Sequence, residues 1–196
     1  MDNVNNARLK ADILRVFKPI IASWTEPDIY AISFWVNNYC DNPCEPTVTL
    51  GYNTERQYVK EISNVSDKAE ARWNFAFWLQ NTEFVYGEGE TKDNVANWIM
   101  SSGMPYYPCI DYDWDIPDDI DDKLLYKITM EFVGILVNTV KELHITSFIQ
   151  EKFGKPTPIL VHELEYYHQI ADQNIAANSL PIVRDFVEWI RSMYLI

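Results

Sequence analysis

Three observations predict an α+β fold, a single helix-rich domain in which a small β-sheet is covered by helices. Segments with a helical apolar period outnumber strand-like runs, the two kinds do not alternate in strict βαβ order, and no internal repeat or heptad array is present. The chain has 196 residues, 47% of them hydrophobic and 14% aromatic, which is ample surface for one packed core and too much for a disordered chain.

Residues 4 to 24 place Ile13, Leu14, Phe17, Ile20, Ile21 and Trp24 on one face of a helix, with Arg15 and Lys18 on the other. Ile29 to Val36 is β-branched, aromatic and apolar on both faces, which predicts a central strand covered on both sides. Residues 37 to 46 form a turn-rich connection to a second strand, Thr47 to Tyr52, completing a hairpin. A short helix is expected over Thr54 to Ile62, and Ser66 or Asp67 should cap another that carries Trp73, Phe77 and Trp78. From Glu83 to about Pro117 the chain reads as an irregular acidic insert with one helix, Asn94 to Ser101, stopped by Gly103 and Pro105. Asp118 and Asp119 should open the longest helix, whose stripe runs from Ile120 through Ile128, Phe132 and Leu136 to Leu143. A short helix, a third strand at Ile159 to Val161 and two closing helices follow, the last presenting Val183, Phe186, Val187, Ile190 and Tyr194 on one side.

Charge narrows the function. The chain carries a net charge of −13, which argues against nucleic-acid binding because phosphates would meet repulsion. Residues 83 to 122 hold eleven acids against the single base Lys92, so most of that charge lies in one window. The same window contains Phe84, Tyr86, Trp98, Tyr106, Tyr107, Tyr112 and Trp114, and large rings beside polar groups are the composition of binding hot spots. No apolar run approaches the roughly 20 residues of a membrane span, and Asp2 stands where a signal peptide needs positive charge, so the expectation is a cytoplasmic protein without a membrane segment. Cys40, Cys44 and Cys109 are an odd set without paired Cys-x2-Cys spacing, which suits thiols in a reducing compartment better than zinc.

Catalytic and metal motifs are incomplete. Asp111, Asp113, Asp115, Asp119 and Asp122 fall at ligand positions of a calcium loop, yet Ile116 occupies the position that needs glycine, and Asp122 reaches less far than the usual Glu. His162-Glu163 and His168 resemble a zinc H-E-x-x-H motif, but the histidines are six apart rather than four. There is no G-x-S-x-G, and Gly87-Glu88-Gly89 is flanked by acids that would repel phosphate. No catalytic, metal or cofactor residue is therefore assigned.

Asn53-Thr54-Glu55 after a strand, and Arg72-Trp73 with Trp78 in an R-W-x4-W pattern, resemble a bacterial domain-of-unknown-function family (DUF4303-like) of about this length. The resemblance implies a cytoplasmic protein, and associates the chain with immunity proteins of toxin systems; the acidic insert is where this sequence departs from the family. The leading expectation is a non-enzymatic interaction protein that masks a basic protein partner, such as a toxin. Its candidate contact residues are Asp111, Tyr112, Asp113, Trp114, Asp115, Asp118 and Asp119. The alternative is a metal-dependent hydrolase using His162, Glu163 and His168. Oligomeric state is left open.

Overall fold

In a computed structural model of the chain, four strands form one sheet in the order β3-β2-β1-β4. Residues 4–111, 116–117 and 120–194 are described. Helix α1 (Val4–Ser23) leads into β1 (Ile29–Asn38), which pairs antiparallel with β2 (Pro46–Thr54) and parallel with β4 (Ile159–His162); β3 (Phe84–Tyr86) adds antiparallel to β2. The remaining helices are α2 (Glu55–Glu61), α3 (Lys68–Trp73), α4 (Lys92–Ser101), α5 (Asp122–Ile145), α6 (Phe148–Phe153), α7 (His168–Asn178) and α8 (Leu180–Ser192). This is the α+β class that the patterning predicts, with β1 central. Among the described residues no helix is long and apolar enough to cross a membrane.

Alternation along β1 builds two cores. Ile32, Phe34 and Val36 face α1, α4 and α5, where the Phe17 ring meets Phe34 edge-on at 5.1 Å. A bulge between Ile29 and Ala31 puts both Tyr30 and Ala31 on the other face, against Trp73, Phe186 and Ile190 of the α3–α8 layer. A strand buried on both sides has no room for polar alternation, which explains its continuous apolar run.

The outer edge of β4 is closed by side chains. Asn174 accepts from the Val161 N–H (2.9 Å) and donates to the Val161 carbonyl (2.8 Å), and Asn178 does the same for Ile159, at 2.8 Å each. Four residues of helix rise about 6 Å and two residues of strand about 6.6 Å, so amides one helical turn apart match alternate peptides of a strand. Helix α7 thereby takes the place of a fifth strand on an edge that would otherwise leave buried peptide groups unpaired.

Several boundaries differ from expectation. The helix carrying Trp73 ends there, because Asn74 is extended and its side chain accepts from the Ala76 N–H at 3.0 Å, starting a separate 3-10 turn over Phe75–Phe77 with Trp78 beyond it. The stretch expected to be irregular holds β3, and its helix starts at Lys92 rather than Asn94. Gly51 permits the approach to β3, since a Cβ there would lie 2.5 Å from the Asn81 carbonyl oxygen. Helix α5 starts at Asp122 with Asp121 capping Lys123, later than the expected opening at Asp118 and Asp119, which lie outside the described residues.

Asn178→Ala would strand both peptide groups of Ile159 in the interior. At about 1–3 kcal/mol per orphaned group, urea unfolding should register a loss of about 2–6 kcal/mol; a loss below about 0.5 kcal/mol would show that the edge does not depend on this amide.

Candidate functional site

Strand directions sort the charged loops into two ends. The carboxyl ends of β1, β3 and β4 and the amino end of β2 lie together, since β1 runs parallel to β4 and antiparallel to β2, and β3 antiparallel to β2. At that end emerge Asp41 of the hairpin turn, Glu88, Glu90 and Asp93 after β3, Asp111, and Glu163 and Glu165 after β4. Helix α5 adds Asp121 and Asp122, because it runs opposite to β4: Thr129 borders the end of β1, whereas the His144 ring reaches Asn178 beside the start of β4. The opposite end carries bases and acids in pairs. Arg56 pairs with Glu26 and Asp28, Arg72 with Glu55, and Lys152 donates to the carbonyls of Ala22 and Trp24 at 2.6 and 2.7 Å. Glu83, part of the acidic window in sequence, starts β3 and so belongs to this opposite end.

The acidic end is anchored by a buried carboxylate. Glu45, only 4% exposed, accepts from Lys92 Nζ (2.9 Å), the Tyr106 hydroxyl (3.0 Å) and the Cys109 N–H (2.9 Å). Burial, then the adjoining Glu45, raise the Tyr106 hydroxyl pKa, so it stays a donor. These bonds tie the hairpin turn to the segment that delivers Asp111, and Cys44 and Cys109 are buried beside it.

Of the residues singled out in the sequence, Asp111 is exposed in a left-handed turn with φ 52°. Tyr112, Asp113, Trp114, Asp115, Asp118 and Asp119 lie outside the described residues. The remaining rings of the window are not surface anchors as expected: Tyr86 and Trp98 are core residues, and Phe84, Tyr106 and Tyr107 pack half-buried against the same core. Their positions in β3, in α4 and beneath the Glu45 anchor turn them inward. Two large side chains that the sequence patterning did not single out stand exposed at this end instead, Leu164 at 65% and Tyr126 at 59% exposure. Beside Leu164 a crevice of about 340 Å³ opens at the carboxyl ends of β1 and β4, lined by Trp35, Asn38, Thr129, Glu163, Glu165 and Tyr167 among others. The Tyr167 hydroxyl donates to Glu163 at 2.7 Å, and the Asn38 side-chain oxygen is buried without a partner.

His162 and His168 are not brought together. His162 is 1% exposed and packs on Phe75, Trp78 and Tyr166, whereas exposed His168 meets Tyr194 with ring centres 4.6 Å apart. His162 Nδ1 lies 2.9 Å from the Glu163 carbonyl oxygen, which can only accept, so Nδ1 carries the proton and Nε2 accepts from the Ser33 hydroxyl at 2.8 Å. The serine–histidine pair is enclosed, and it ties β1 to β4 near the crevice. Among the described residues no group of three His, Cys, Asp or Glu side chains is arranged to hold a metal ion.

The residues behind the family resemblance form one network at the opposite end. Arg72 holds Glu55 through two bonds of 3.0 and 2.8 Å and lies over the Tyr30 ring; Asn53 donates to the Tyr30 hydroxyl, and the Trp78 indole donates to the Arg72 carbonyl. Thr54 caps α2. No family model, curated protein or solved structure matches the chain.

Burial pushes the His162 pKa down from 6.5 to about 4, and burial lowers that of His144 as well. The unfolded chain therefore binds protons that the folded chain refuses between those values. Stability conferred by neutral His162 is complete above pH 6.5 and falls as pH drops toward 4, by about 3 kcal/mol in all. Denaturant unfolding from pH 7 to 4.5 should show most of that decline, and His162→Gln should begin less stable yet decline less. An equal decline in both proteins would refute the assignment.

Proposed function

We propose that this chain is an interaction protein whose acidic end receives a positively charged protein partner. The observation that carries this reading is the concentration of carboxylates: those of the hairpin turn, the β3–α4 turn, the start of α5 and the exit of β4 share one end of the sheet, where they outnumber Lys92, Lys123 and Lys127, while at the other end Arg56 and Arg72 are paired with Glu26, Asp28 and Glu55. Such a field speeds encounter with a cationic surface and orients it before contact, and exposed Leu164 and Tyr126 supply apolar area for the docked state. Masking of a basic toxin, the role suggested by the sequence resemblance, is one instance of this chemistry.

An octapeptide of alternating Arg and Gly is a suitable probe, followed by calorimetry in low and physiological salt. Binding should weaken as salt rises, since exposed charges are screened beyond about 8–10 Å. Asp113→Asn with Asp115→Asn, and Asp121→Asn with Asp122→Asn, should each weaken it by about 1.4- to 5-fold per carboxylate. Glu83→Gln with Glu151→Gln, which removes the same charge from the opposite end, should leave it nearly unchanged. Affinity indifferent to salt, or equally sensitive to all three pairs, would remove the proposal.

A further inference from the structure

We infer that the crevice at the carboxyl ends of β1 and β4 is an anchor pocket for one arginine side chain of the partner. This rests on the acidic-end reading and names the group that the end recognises.

The crevice is supplied with acceptors and lacks a cation. Glu163, Glu165, Asn37 and Asn38 border it, so carboxylate and amide groups from the exit of β4 and the end of β1 meet there. Among the described residues that line it there is no Lys or Arg. Glu163 is held in place by the Tyr167 hydroxyl at 2.7 Å, so one wall of the site is oriented before any ligand arrives.

The walls favour a guanidinium over an ammonium. Trp35 and Tyr167 offer ring surface, on which a planar cation stacks, and the acceptors come from separate elements, the end of β1 and the exit of β4. Five N–H donors in a rigid plane can meet acceptors in several directions at once, whereas an ammonium is a compact, strongly hydrated charge. Exposed Leu164, with Thr129 beside it, gives apolar contact for three methylenes. A volume of about 340 Å³ is at the small end of ligand pockets, which run from about 300 to 1,000 Å³, and suits one side chain rather than a cofactor.

The position is also consistent with strand topology. Sheets with parallel strands open crevices beyond the carboxyl ends of those strands, where the chain leaves in opposite directions. Here β1 turns back into β2 while β4 continues to α7, so the two exits diverge and leave the gap between them.

The test is NMR titration with the Arg-Gly octapeptide and with its Lys-Gly counterpart, at low salt. Binding of the arginine peptide should move the Trp35 indole signal and the Thr129 and Leu164 amides, and Glu163→Gln with Glu165→Gln should weaken it at least fivefold. The double variant keeps an acceptor for Tyr167, and unchanged spectra elsewhere would show that it folds. The lysine peptide should bind more weakly at these signals. Peptide binding that leaves them unmoved overturns the pocket while the acidic-end reading stands; absence of binding by either peptide overturns both. Equal response to lysine overturns the guanidinium assignment, and shifts of the same signals with protein concentration alone would give the crevice to a second copy of the chain.

Discussion

Strand β4 joins the sheet through four residues paired in parallel with β1, a ladder too short to hold a strand by itself and, without a cover, open along its outer edge. Asn174 and Asn178 supply that cover, and they link parts distant in sequence: Asn178 also reaches His144, near the carboxyl end of α5, so one amide joins β4, α7 and α5. Because that contact fixes where α5 ends, it also fixes where the helix begins, and the acids of its first turn arrive beside the exits of β1 and β4. The placing of the α5 acids is thus tied to how the sheet edge is closed. Moving α7 by one turn would leave only one of its two amides opposite the peptides of Ile159 and Val161.

Burial and charge are kept apart by the same frame. Where a carboxylate does enter the interior, as Glu45 does, it is met by an ammonium, a hydroxyl and a backbone N–H, so its desolvation is compensated. Where a histidine enters, as His162 does, it is held neutral with both ring nitrogens bonded. Most of the remaining carboxylates at that end lie exposed to water in loops and first turns, and half-buried Glu163 is met by the Tyr167 hydroxyl. They repel one another, and the cost is borne by segments that the core does not depend on.

Much of this frame was legible in the sequence. The double-sided strand β1, the hairpin, the α1 stripe and the long α5 stripe all follow from apolar spacing, which is strongest where burial is deepest. Strand β3 escaped notice because three residues among acids and turns carry no period, and its pairing depends on Gly51 and Asn81, which only the folded chain brings together. The roles of Asn174 and Asn178 were not read: their spacing of four was the available signal, but its meaning required the strand beside it. The aromatic window misled for a related reason: rings adjacent in sequence to acids were read as sharing a surface, whereas β3 and α4 direct Tyr86 and Trp98 to the core and leave only the acids outside. The crevice was not legible, because Trp35, Thr129 and Glu163 are brought together from three elements.

The two ends of the sheet also differ in what constrains their sequences. At the opposite end, Asn53, Glu55, Arg72 and Trp78 satisfy one another through side-chain and backbone bonds, so replacing one leaves its neighbours with unmet groups in a partly buried setting. The residues that suggested a family resemblance are therefore residues that a frame of this kind requires, and they say more about folding than about recognition. At the acidic end the exposed carboxylates are bound to little else, and single changes there alter the surface field without unseating the core. A fold with one interlocked end and one loosely constrained end can vary what it recognises while keeping how it folds, which places the capacity for specificity in the acidic loops and the crevice between them.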